Sequence, residues 1–388
     1  MKSKAGVSVK GKIMTPDGFR DGVIRIENGI ILSVERASSD NDIIDLSKAF
    51  IVPGFIDLHM HGIHRFLIDN GIDDLLSICR IIPQYGITAF LPTVAPRKEG
   101  EDAVFLKSIS KIKSDGATIL GFHLEGPFLK ITGSLSANAI AKADPKRVKS
   151  LIDAARPYQA IFSISPDLEN VADIIPLMRE ENAAVFMTHT AATVEQTQAA
   201  INSGALHATH FYDVFPCPEV TEPGVRPCGI VEAVLADKRV SVDFILDGVH
   251  VDPIAVKMAL ACKSKGPGSV CLITDSNIGA GLEPGKFIFG DSGEIEFTHK
   301  GSPARKTKDK TLAGSGLTMD QAVRNAIQFL GVDLHQAVTM ASSNPAKVIG
   351  VDHRKGKILP GYDADLVMLD KDLNVMQTWI SGQRCFNK

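Results

Sequence analysis

The 388-residue chain is too long for one small core and fits a barrel of roughly 250 residues with a smaller module beside it. Hydrophobic residues at 44% and charged residues at 22% exclude a disordered or fibrous polymer, and a formal net charge of −3 excludes the broad positive field that nucleic acid or an anionic membrane surface needs. The six cysteines form no Cys-x-x-Cys pair and read as reduced thiols; with no leader-like apolar region and no apolar run of about 18 residues, the expectation is a cytoplasmic protein acting on small molecules.

Residues 6–14 and 22–36 alternate apolar and polar side chains, and Asn28-Gly29 divides the second stretch, so the chain is expected to open with a β-hairpin. From Val52 to Asp275 short apolar runs alternate with helical periodicity, the pattern of repeated βα units. Eight strands are expected near 55–59, 87–93, 119–125, 160–165, 184–189, 207–212, 241–247 and 270–275, and eight such units close a (β/α)₈ TIM barrel. Helical spacing with Gly or Pro stops marks 73–86, 145–155 and 193–204 as outer helices. Beyond Asp275 come strand-like FIFG (287–290) and EIEF (294–297), a basic run at 305–310 that reads as a solvated loop, and helical patterns over 318–330 and 333–342. Residues 361–383 hold two strand patterns separated by Lys371 to Asn374. The expected organisation is a β-sandwich-like domain made of 1–52 and 354–388, with the barrel over 53–353.

His59 and His61 lie two apart in a strand, so both imidazoles point to one face. Glu125, His189, His210 and Asp275 end the third, fifth, sixth and eighth expected strands, and His250 follows the seventh. A single His or Glu at a strand end is more often just a hydrogen-bonded polar group. A whole set at the C-terminal rim, where barrel enzymes carry their chemistry, argues for a metal site. Imidazole and carboxylate without thiolate favour zinc or iron(II), with manganese or nickel also served, over magnesium or calcium. The ligands His59, His61, Glu125, His189, His210 and Asp275 are enough for two divalent ions bridged by Glu125. His64, His123 and His207 lie close by and take supporting roles. No G-x-S-x-G and no cysteine beside a base points to a nucleophilic side chain.

The motifs PGFIDLHMHG (53–62), GFHLEGPF (121–128), MTHT (187–190), ATHFYDVF (208–215), DGVHVD (247–252), LITDS (272–276), LAGSGLTM (312–319) and GKILPGYDADLV (356–367) span nearly the whole chain. In this order they resemble the amidohydrolase superfamily, and within it the N-acetylglucosamine-6-phosphate deacetylase family. The resemblance implies that Glu125, His189 and His210 hold one metal, and that His59 and His61, with Glu125 and Asp275, hold a second. It implies Asp275 as the proton shuttle and His250 as the hydrogen-bond donor to the developing oxyanion. It further implies a homodimer in amino sugar metabolism that hydrolyses an N-acetylhexosamine 6-phosphate to acetate and the amino sugar phosphate.

The chain departs from the family pattern at the phosphate end of the substrate. Asp213-Val214 stands where the family has Asn-Ala, Thr221 stands where it has Arg, and 132–138 contain no His. A carboxylate repels phosphate, and a missing Arg removes a bidentate clamp. Arg226 is the nearby candidate to replace it, so the substrate-binding set is His250, Asp213, Val214 and Arg226. The alternative is an unphosphorylated N-acyl substrate. A non-catalytic barrel used for assembly predicts lost ligands, yet all of them are present.

Overall fold

The computed structural model describes residues 6–36, 43–264 and 268–388. The alternating N-terminal sequence forms β1 (Val7–Thr15), β2 (Gly18–Glu27) and β3 (Ile30–Glu35), each antiparallel to the next. Asn28 and Gly29 take φ 52° and 84°, the two left-handed residues that a tight two-residue hairpin turn requires. The strand β4 (Ile43–Pro53), absent from the expected set, runs parallel to β1 and leads into the barrel.

The barrel strands are β5 (Phe55–Met60), β6 (Ile87–Val94), β7 (Phe122–Phe128), β8 (Ala160–Ile164), β9 (Val185–Met187), β10 (His207–Ala208), β11 (Ser241–Ile245) and β12 (Val270–Ile273). Each pairs parallel with the next, and a parallel bridge from Met60 to Ser276 closes the ring. Every residue of these strands is buried, as expected when a parallel sheet is covered on both faces. The expected strand 119–125 lies three residues further on, because its ladder to β8 begins at Phe122. Among the helices, α1 (Ile72–Ile81) ends through a tight turn at Gly86, α2 spans Glu101–Ile109, and α3 (Pro145–Ala155) starts where the Asp144 side chain accepts Lys146 N–H. Of the two helices that follow, α4 is Val171–Met178, and α5 (Val194–Ser203) carries a Thr193–Gln196 capping box.

After β12 an antiparallel sheet of β13 (Gly285–Phe289), β14 (Gly293–Phe297), β15 (Pro303–Lys306) and β16 (Leu312–Ser315) folds back, and Ser276 bridges Ser315. Arg305 and Lys306 therefore lie in a strand, and only the rest of the basic run is a turn. The C-terminal strands β17 (Leu366–Leu369), β18 (Val375–Ile380) and β19 (Gln383–Asn387) join the N-terminal ones in a single sheet of order β19-β18-β17-β4-β1-β2-β3. Val9, Ile13, Ile51, Leu366 and Trp379 form its core. Lys355, 2% exposed, supports this sheet by pairing with Asp363 at 2.8 Å and Asp365 at 2.5 Å. Lys355→Met leaves buried Asp365 without its cation and Asp363 with only Arg354 at 3.7 Å, and is expected to cost about 3–5 kcal/mol in denaturant unfolding.

Candidate active site

His59 projects from β5 and His61 from the bend just past its end, one residue beyond the strand expected to hold both, with their Nε2 atoms 3.3 Å apart. Glu125 faces them from β7, whose regular ladder to β8 breaks immediately afterwards, between Glu125 and Phe128. Gly126 makes that break, with φ 108°. The strands expected to reach 189, 212 and 275 stop at 187, 208 and 273, so His189, His210 and Asp275 sit in the turns just beyond. All three have left-handed backbones, with φ of 51°, 33° and 45°. Each such residue costs on the order of 1 kcal/mol or more, and strain of this kind gathers at functional sites.

Glu125 is shared between two pairs of histidines. Its Oε1 lies 3.3 Å from His189 Nε2 and 3.1 Å from His210 Nε2; its Oε2 lies 3.0 Å from His61 Nε2 and 3.6 Å from His59 Nε2. Asp275 Oδ1 is 3.4 Å from His59 Nε2 and 3.5 Å from His61 Nε2. The tightest donor groups are His59, Glu125 and His210, and His59, His61 and Asp275, each with its atoms within 4.8 Å of one another.

The electrostatics ask for positive charge at the centre. His189 donates its Nδ1–H to the Ile131 carbonyl at 2.8 Å, and His210 donates to the Asp213 carbonyl at 3.2 Å. In the neutral rings Nε2 then carries a lone pair aimed at a carboxylate oxygen. Two lone pairs repel unless a proton or a metal ion lies between them. Burial disfavours the charged His210, yet the Glu125 carboxylate beside it pushes its pKa up to about 10. Burial likewise opposes charge on Glu125, but the surrounding imidazoles hold its pKa well below the usual carboxylate value. His61 Nδ1 and Asp275 Oδ1 are buried without a hydrogen-bond partner. A divalent cation fits such a donor set, and the backbone carbonyls that orient the two rings are the usual outer supports of metal-binding histidines.

Two supporting carboxylates escaped the sequence reading. Asp57 Oδ1 accepts His59 N–H at 3.3 Å and Thr274 N–H at 3.2 Å, and its Oδ2 accepts the Thr274 hydroxyl at 2.6 Å, tying β5 to the turn that carries Asp275. Burial pushes its carboxyl up to about 7 in spite of these hydrogen bonds. Asp243 on β11 accepts His210 N–H at 2.6 Å and pairs with His207 Nε2 at 2.7 Å. Both are acids inside wholly buried strands, which is the signal that marks them. Asp57→Ala strands three buried donors and is expected to cost about 3 kcal/mol or more in unfolding, since each unpaired buried group costs about 1–3 kcal/mol. His123 is held between Thr93 Oγ1 and Ser163 Oγ at 3.1 and 2.7 Å, with its ring edge-on to His59. At the rim, His64 bonds Tyr85 Oη at 2.7 Å.

The donors floor a cavity of about 200 Å³. Gly133 and Val214 line it beside His189, Phe289 lines it beside His61, and Ser134, Asp213 and Leu312 complete this part of the wall. His250 is not among the residues that line the cavity; its Nδ1 lies 2.7 Å from Asp247 Oδ2 and its Nε2 is buried without a partner. Burial lowers its basicity, but Asp247, with Asp213 and Asp275 further off, raises its pKa above the ordinary value. Arg226 is a correction: it is exposed, paired with Glu232 at 2.7 Å, and does not line the cavity. Its place in the sequence after the ATHFYDVF motif does not bring its side chain to the donors, because the Glu232 carboxylate holds it on the surface. No Lys or Arg lines the cavity among the described residues.

Over residues 50–385 the sequence matches the Amidohydrolase family model. It is 31% identical to N-acetylgalactosamine-6-phosphate deacetylase of Escherichia coli O157:H7, covering 96% of this chain and 97% of the relative. It is 30% identical to N-acetylglucosamine-6-phosphate deacetylase of Bacillus subtilis (strain 168), covering 95% and 93%. A solved Mycobacterium smegmatis N-acetyl-D-glucosamine-6-phosphate deacetylase mutant in complex with N-acetyl-D-glucosamine-6-phosphate superposes with a TM-score of 0.88 at 26% identity, over 99% of this chain and 100% of that one.

Proposed function

The chain belongs to the amidohydrolase family, and from that premise we propose that it is a metal-dependent deacetylase of an N-acetylhexosamine 6-phosphate, releasing acetate and the amino sugar phosphate. The observation that carries this reading is the Glu125 carboxylate, with each oxygen facing a different pair of histidines and Asp275 beside one pair. Glu125, His189 and His210 would hold one divalent ion, and His59, His61, Asp275 and Glu125 a second, with zinc or iron(II) the first choices and manganese or nickel also suited. When bound, the cation supplies Lewis acidity, polarising the acyl oxygen and making water more acidic.

The protein's own groups do the rest. Asp275 accepts the proton of the attacking water and hands it to the amine nitrogen, which leaves poorly as an anion. His250, which stands outside the cavity lining with Asp247 on one edge of its ring and Nε2 without a partner, is the group proposed to donate to the oxygen on which charge develops, a role that needs the cavity to open toward Nε2 when substrate binds. A single donor of this type is worth about 3 kcal/mol. His250→Asn is therefore expected to lower kcat by roughly 10²-fold, read in steady-state kinetics at saturating substrate; a change confined to KM would remove this role.

Relatives named for phosphorylated substrates support the 6-phosphate over the unphosphorylated alternative. Asp213 and Val214 line the side of the cavity that receives the sugar in this reading. The test is acetate release from N-acetylglucosamine 6-phosphate, its galacto epimer and the unphosphorylated sugars, using metal-stripped protein reloaded with zinc, iron(II) or manganese. Turnover of a 6-phosphate is expected. Turnover of an unphosphorylated sugar alone, or of none, overturns the assignment. A homodimer in the cytoplasm is the form proposed for the working enzyme, and light scattering checks its size. Among the described residues no helix is long and apolar enough to cross a membrane.

A further inference from the structure

Phe289 is the last residue of β13, 3% exposed, and its ring stands edge-on to His61 at 5.2 Å between centroids. It lines the donor cavity, and it also lines a second cavity of about 180 Å³ whose other walls include Asp69, Arg97, Ser136 and Ser292. One ring thus stands in the wall of both spaces. The donor cavity itself has two unlike sides. Gly133 and Val214 stand beside His189, and the lining also holds Ser134 and Asp213, polar residues that suit a sugar bearing hydroxyls. Phe289 stands beside His61 and Gly314 packs against the Asp275 carbonyl, so this part of the wall offers an apolar face to the other substituent of the amide.

We infer that Phe289 is the specificity residue that limits the acyl group to about the size of acetyl, by closing the donor cavity off from the space beyond. This rests on the deacetylase reading above. The methyl of an acetyl group lies against the ring, and each added methylene meets the ring face before it can reach the second cavity. An extra methylene in an apolar pocket typically changes kcat/KM by about 10–200-fold, so the parent is expected to discriminate strongly between N-acetyl and N-butyryl forms of one substrate.

Phe289 belongs to a small cluster with Leu67, Ile295, Phe297, Ala304 and Ala313, separate from the main barrel core, so trimming it spares the barrel. The experiment compares the parent with Phe289→Leu and Phe289→Ala, with metal content and thermal midpoint recorded for each. The ratio of kcat/KM for the N-butyryl over the N-acetyl amino sugar phosphate is expected to rise at least about tenfold in Phe289→Ala and less in Phe289→Leu. In parallel, zinc-loaded protein is titrated with acetate and butyrate, the two carboxylate products, and the affinity ratio is expected to shift the same way. A butyrate-to-acetate ratio within twofold of the parent in both variants overturns the inference. A parent that hydrolyses no N-acyl hexosamine phosphate overturns the deacetylase reading, and the titration still decides the role of Phe289.

Discussion

Asp275→Asn is expected to keep the fold and at least one bound metal while lowering kcat by roughly 10³-fold or more, the scale of a lost general acid–base. The backbone of residue 275 fixes the turn: its N–H donates to the His59 carbonyl at 2.9 Å, and its carbonyl accepts Ser315 N–H at 2.7 Å. The side chain Oδ1 makes no hydrogen bond, so an isosteric amide breaks none there. What disappears is the ability to take a proton and return it. The loss should fall on kcat, with KM nearly unchanged, because the group acts on the transition state. Activity within tenfold of the parent would take Asp275 out of the mechanism.

Glu125→Gln should have a comparable effect on activity for a different reason. The carboxylate offers one oxygen to His189 and His210 and the other to His59 and His61, so it faces both histidine pairs. Glutamine keeps one oxygen and turns an NH₂ toward the other pair, which removes a negative charge and a donor atom together. Removing even an outer support of a metal site costs about 10–100-fold in affinity, and a shared ligand should cost at least that. Elemental analysis after dialysis is expected to show depleted metal. The stabilisation on adding zinc, about 2.7 kcal/mol for the parent at a hundredfold excess over Kd, should shrink to about 1.4 kcal/mol or less at the same zinc concentration. A variant that retains the parent's metal content and zinc response would show that Glu125 is not shared between ions.

The donor side chains were legible in the sequence because an His-x-His pair in a strand and acids or histidines at successive strand ends have little reason to coincide otherwise. Their backbone setting was not legible. His189, His210 and Asp275 lie in left-handed turns without a glycine to announce them, so the strands were read two to four residues too long. Thr118 and Ile119 form a short strand of their own beside β6, and their apolar character drew the third strand toward the N-terminus. Pro303–Lys306 and Leu312–Ser315 lack the apolar alternation that marked β13 and β14, and both were missed. Asp57 and Asp243 were visible as acids in apolar strands, but their partners Thr274, His207 and His210 are brought to them only by closure of the barrel. Arg226 shows the reverse error, since nearness in sequence to Asp213 did not bring its side chain to the cavity.

The shared sheet has a bearing on how the chain is made. On the ribosome β4 emerges early, with its partner β1 already synthesised, while its other edge waits for β17, which is translated more than three hundred residues later. Until then a long strand with apolar side chains such as Ile51 and Val52 keeps an open row of amide and carbonyl groups, the kind of edge that invites pairing with a second nascent chain. The last strands of the protein therefore act as its own edge protection, and a chain interrupted before β17 should be a substrate for chaperones or aggregation even though every barrel strand has already been synthesised.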